Sequence, residues 1–151
     1  MTGYIVVLVT FINWIDFQYP LRFTSLQTNT QIILIISALK SNDTSDLRSP
    51  IHIDTISALI ELDSEILFEE GIGEGIYTSD KEFLDKGLKV ASRDECISSS
   101  DLVITNQPLN ENEVSSMKSN STILGIVNPF ANQELINLCA TKKINLVSME
   151  F

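Results

Sequence analysis

Glycine stands at Gly71, Gly73 and Gly75 in the stretch "EEGIGEGIYTSD", directly after an apolar run. Glycine clusters in that setting can cradle the phosphates of a nucleotide, but the chemistry demands a particular spacing. A dinucleotide fold needs G-x-G-x-x-G at its first strand-to-helix turn, and a phosphate loop needs G-x-x-x-x-G-K followed by Ser or Thr. This stretch reads G-x-G-x-G, has no lysine, and brings Glu69, Glu70 and Glu74, which would repel a pyrophosphate. Ser79 caps the helix that follows, so its N-terminus is already occupied. The glycines are therefore expected to turn the chain, at positive φ.

The remaining reactive residues do not assemble a catalytic set. His52 is the sole histidine; with no partner nearby in sequence it reads as a packing or surface residue, one turn into the first helix. Arg48 stands at a loop-to-helix junction, where binding groups gather at the strand ends of an α/β sheet, although a lone arginine also reads as a solvated cation. The carboxylates are spread over caps and exposed faces, with no pair placed for acid–base work, and one histidine without a nucleophile signature makes no triad. Cys96 and Cys139 are too few and too far apart for a disulfide framework or a zinc cluster. They read as buried thiols in a reduced compartment, and neither a catalytic nor a metal-binding residue is expected.

A chain of 151 residues buries roughly 70% of its unfolded surface, and 44% hydrophobic against 20% charged residues argues for a folded domain. Ten basic against twenty acidic residues give a net charge of −10, which disfavours nucleic acid and anionic lipid as partners. No apolar run reaches the roughly 18 residues that span a bilayer. The nearest, Tyr4 to Ile12, lacks the basic flank and cleavage site of a signal peptide. The sequons at Asn42 and Asn120 have no consequence without secretion, and a cytoplasmic location is expected.

Residues 1–29 are apolar and aromatic without clean periodicity, and read as an N-terminal extension. From Thr30, β-branched runs alternate with helical segments. "TQIILIISAL" is a strand of the kind buried on both faces. Ser49 and Pro50 form a cap and first-turn proline for a helix over "PIHIDTISALIEL". "SEILFEE" is the next strand, and "SDKE" is a capping box for a helix that Gly87 stops. "LKVAS" is a strand, "SRDE" a second capping box, and "DLVIT" a strand. A loop and short helix over "PLNENEVSSM" lead to the strand "STILGIV", the helix "NQELINLCATKK" and the strand "INLVSMEF". About six strand–helix alternations predict a doubly wound, mostly parallel α/β sheet of the Rossmann or flavodoxin type, in three α-β-α layers.

The run from Ile32 onward, about four fifths of the chain, resembles the N-terminal domain shared by alanine dehydrogenases and the alpha subunit of proton-translocating NAD(P) transhydrogenases. The resemblance is carried by "EEGIGEGIYTSDKEFLDKGLKV", "SDLVITNQPL" and "TILGIVNPFANQELINLCATKKINLVSMEF", with Arg48 at the family's first-loop arginine. It implies a domain over residues 30–151. In alanine dehydrogenases that arginine, a Lys after the "DLV" strand and a His after the "LG" strand hold pyruvate. Here the latter two positions read Thr105 or a near neighbour, and Asn128, so only Arg48 is kept. "ITNQPL" and "VNPFANQEL" look more like the transhydrogenase alpha subunit.

That resemblance implies NAD(H) as the cofactor of the full-length protein, held mainly on a following Rossmann domain and by an Arg-Gln-Asp loop beyond Phe151. Tight binding to this chain alone, and hydride transfer by it, are therefore not expected. The implied partners are the NAD-binding domain, the NADP-binding and membrane subunits, and a second copy in a homodimer. They would hold the chain at the membrane periphery. Arg48, Asn106, Gln107, Pro108 and Asn128 are the candidates for residues facing a cleft between two lobes. An alanine dehydrogenase-like fragment and a non-catalytic binding or assembly module are the alternative readings.

Overall fold

A computed structural model describes residues 33–150; the extension expected at 1–29 lies outside the described residues. The strands are β1 (Ile35–Leu39), β2 (Glu65–Glu69), β3 (Lys89–Ala91), β4 (Leu102–Thr105), β5 (Thr122–Gly125) and β6 (Asn145–Ser148). They form one sheet in the order β3-β2-β1-β4-β5-β6, and every pairing is parallel. The helices are α1 (Ile56–Ile60), α2 (Asp80–Asp85), α3 (Arg93–Ser99), α4 (Glu111–Ser116) and α5 (Gln133–Lys142).

Parallel neighbours cannot be joined by hairpins, so each connection crosses over one face of the sheet, and right-handed crossovers fix which face. From β1 the chain steps outward to β3, returns to β4, and then steps outward the other way. α3, α4 and α5 accordingly pack side by side, with α3 against β1 and β2 and α5 against β6, while α1 lies on β2 and α2 on β3. This is the doubly wound, three-layer α/β architecture expected from the alternation.

Strand residues alternate between the two faces. Leu39, Leu67, Val103 and Ile123 point into one core with Ile97, Val114 and Cys139. Ile36, Ala38, Ile66 and Phe68 alternate with them and are equally buried. On that second face the rings of Phe68 and Phe83 meet at 5.3 Å. Among the described residues no helix is long and apolar enough to cross a membrane.

The capping box at Ser79 is present, and Ser92 forms half of the second one. Glu82 Oε2 accepts the Ser79 N–H and hydroxyl, both at 2.8 Å, which holds the Glu82 carboxyl below its ordinary range. Ser92 Oγ accepts the Glu95 N–H. Gly87 adopts a positive φ of 92° just past α2.

Two expectations need correction. The first helix does not start at Pro50: it runs only over Ile56–Ile60, with Thr55 as its N-cap residue, and His52 lies before it rather than inside it. Side chains divert the backbone there, because Ser49 Oγ accepts the Ile51 N–H and Thr55 donates both its N–H and its hydroxyl to the His52 carbonyl. Such local bonds compete with helix hydrogen bonding. The glycines, in turn, do not share one reason. Gly71 alone of the three is at positive φ, 76°; Gly75 is required because a Cβ would lie 2.0 Å from the Leu47 carbonyl oxygen.

Phe83 is wholly buried, so Phe83→Ala should lower the unfolding free energy by about 3–5 kcal/mol, read as a shifted denaturation midpoint at unchanged slope. Burial, with Glu69 and Glu95 nearby, pushes the Cys96 thiol up to about 12, and burial raises Cys139 as well. Thiolates are the reactive form, so native protein at about pH 8 should resist alkylation at both cysteines and be labelled only on unfolding; mass spectrometry reads the difference.

Candidate functional site

In an open α/β sheet, ligands bind beyond the carboxyl ends of the strands where the winding reverses. Here the reversal falls between β1 and β4, whose paired ends are Leu39 and Thr105. Parallel pairing puts every strand's carboxyl end on the same edge, so the loops after β1 and β4 share one crevice.

Three of the sequence-derived candidates meet in it. Gln107 Oε1 accepts the Ser41 hydroxyl at 3.1 Å and the Asn42 N–H at 2.9 Å. Asn106 Nδ2 donates to the Arg48 carbonyl at 3.1 Å. The turn itself is held by Thr105, 1% exposed, whose hydroxyl donates to the Gln107 carbonyl and accepts the Gln107 N–H. Pro108 is half-buried and leads into the buried Leu109. Gly125 lets β5 press against this turn, since a Cβ there would sit 1.8 Å from the Thr105 carbonyl oxygen.

The Arg48 side chain folds back on its own loop. Its Nε and Nη2 meet the two carboxylate oxygens of Asp46 at 2.7 and 2.8 Å, a bidentate fork that holds the Asp46 carboxyl below the usual range. Asn128 follows the neighbouring β5 and takes part in a different set of bonds. It is exposed, at a positive φ of 45°, and donates its N–H at 2.6 Å to Glu150 Oε2, which also accepts from Val127 and Ser148.

The other half of the strand-end edge opens into a cavity of about 680 Å³ lined by Lys40, Glu69, Glu70, Glu74, Asp80 and Arg93, among others. Arg93 organises it. Its Nη1 donates to the Lys40 carbonyl at 3.1 Å and to Glu69 Oε2 at 2.9 Å, and its Nε to Glu113 Oε1 at 2.6 Å; Nη2 is buried without a hydrogen-bond partner among the described residues. The sequence does not mark Arg93, Glu113 or Ser41 as site residues, and marks Glu69 only as a charge that repels phosphate. One signal for Arg93 was available: it is the first residue of α3, where the positive end of the helix dipole disfavours a cation, so something beyond the helix must hold it. No group of three or more His, Cys, Asp or Glu among the described residues could hold a metal ion.

Comparison with known proteins points to the same architecture. The chain is 28% identical over 121 residues to a Rickettsia prowazekii protein, the first portion of an NAD(P) transhydrogenase subunit alpha, covering 77% of this chain and 32% of that protein. It is 26% identical over 117 residues to the N(5)-(carboxyethyl)ornithine synthase of Lactococcus lactis, covering 76% of this chain and 37% of that protein. The chain thus spans about a third of the length of the curated relatives it matches. Among solved structures, the transhydrogenase of Sinorhizobium meliloti shares the fold at a TM-score of 0.71 and 22% identity, over 77% of this chain and 35% of that one. A sequence model of the family described as alanine dehydrogenase/PNT, N-terminal domain, matches residues 39–151, and the chain belongs to that family.

Proposed function

We propose that this chain is the N-terminal lobe of the NAD(H)-binding alpha subunit of a proton-translocating NAD(P) transhydrogenase, a domain over residues 30–151 that forms one wall of a cleft. The dinucleotide lies mainly on a following lobe, and its hydride passes to NADP on another component. Arg48, the turn Asn106, Gln107 and Pro108, and Asn128 face that cleft. The lobe acts through packing and closure, without catalytic groups of its own. Its partners are the dinucleotide-binding lobe, the NADP-binding and membrane subunits, and a second copy in a homodimer. In that assembly it is cytoplasmic and peripheral to the membrane.

The observation that carries this choice of branch is the closed fork of Arg48. Asp46 occupies the Nε–Nη2 edge of that guanidinium, where a keto-acid carboxylate would have to compete with it. The residue corresponding to the pyruvate-holding lysine is Thr105 or a near neighbour, and the Thr105 hydroxyl is committed to the Gln107 backbone. The Rickettsia relative named above supports the same branch.

Calorimetric titration of the chain with NADH should reveal no affinity tighter than about 1 mM; micromolar binding would overturn the placement of the cofactor on a following lobe. NAD-dependent oxidation of alanine by the chain would assign it to the alanine dehydrogenase branch instead. A chimera carrying residues 30–151 in place of the matching lobe of the Rickettsia relative should keep NADH-to-NADP hydride transfer within about tenfold. A folded but inactive chimera would count against the reading.

A further inference from the structure

We infer that Arg93 is a positioning residue, which holds the loop after β1 and the turn after β4 in one fixed relation and so sets the form of the strand-end crevice. The use of that crevice as a cleft wall rests on the function proposed above. The brace itself rests on three side chains and the loop backbone that they grip.

On one arm, Glu69 Oε2 accepts both the Arg93 Nη1–H and the Lys40 N–H, and Arg93 Nη1 also donates to the Lys40 carbonyl. The backbone of Lys40 is therefore gripped on both sides, immediately before Ser41 and Asn42, which hold Gln107. On the other arm, Glu113 Oε1 accepts the Arg93 Nε–H while its Oε2 accepts the Asn110 N–H at 2.7 Å. The segment from Gln107 to Asn110 is thus clamped at both ends: by the β1 loop at Gln107 and by the Arg93 arm at Asn110.

The arrangement needs arginine. The donors lie in a rigid planar fork that can serve two carboxylates and a carbonyl together, whereas a lysine ammonium is a point charge. The side chains of Arg93, Glu69 and Glu113 are only 17%, 13% and 11% exposed. Without the guanidinium, the two largely buried carboxylates would lose their shared partner and move toward solvent, and each would take its loop with it. An Arg at the first position of α3, against the helix dipole, makes sense in this tertiary role.

The test is backbone amide hydrogen exchange, resolved by NMR on the full chain, with Lys40, Asn42 and Asn110 as reporters and the buried strand residues Val103 and Ile123 as controls. Arg93→Ala should accelerate the reporters about tenfold or more and leave the controls unchanged. Arg93→Lys, should the alanine variant fail to fold, should keep control protection but not reporter protection. The arms should also communicate: Glu113→Gln should speed exchange at Lys40, on the far loop, and have no further effect there once Arg93 is replaced. Uniform acceleration of reporters and controls, full rescue by Arg93→Lys, or no effect of Glu113→Gln at Lys40 would each overturn the brace. No nucleotide enters this experiment, so tight NADH binding by the isolated chain would sink the cleft reading and leave the exchange result standing.

Discussion

A sheet whose strands all run one way can be built only by sending the chain back over one face or the other between strands, and almost everything else in this domain follows from that constraint. Both faces become covered, so the strands are apolar on both sides, as Ile36, Leu39, Phe68, Val103 and Ile123 are. All the carboxyl ends fall on a single edge, so the loops that leave β1 and β4 in opposite senses meet in a crevice. Short helices suffice as crossovers because their stability comes from the buried face rather than from length.

The strand-end edge carries a marked charge imbalance. Glu69, Glu70, Glu74 and Asp80 gather around the cavity beside β1, β2 and β3, with Lys40 and Arg93 as the basic counterparts. A phosphate would be repelled from this half of the edge, as the sequence of the glycine loop already indicated. What the arrangement supplies is fixed geometry: Arg93 ties β1, β2 and α4 together, and Gln107 ties the β4 turn to the β1 loop.

Several elements were legible in the sequence because their causes are local. Continuous apolar runs marked β1 and β2, Ser79 with Glu82 and Ser92 with Glu95 marked helix starts, and Gly87 marked a stop. The start of the first helix was not legible because side-chain bonds from Ser49 and Thr55 compete with helix bonding for the same backbone, and residue type alone does not settle that competition. Gly75 was misassigned to positive φ because its real constraint is a carbonyl 28 residues earlier, at Leu47, which no local pattern reveals.

The family resemblance pointed to Arg48 and to the turn at Asn106 and Gln107, but their relation is a product of the fold. Whether Gln107 holds Ser41 and Asn42, and whether Asn106 reaches the Arg48 carbonyl, depends on which strand ends the sheet order brings together. By itself the sequence determined the alternation of strands and helices, the caps, the acidic character and the family, since these depend on residue type and near neighbours. Only the tertiary structure decided the strand order, the joining of the β1 loop to the β4 turn and the bracing role of Arg93. Those depend on contacts between residues 20 to 66 positions apart, which exist only once the crossovers have brought the strand ends to one edge.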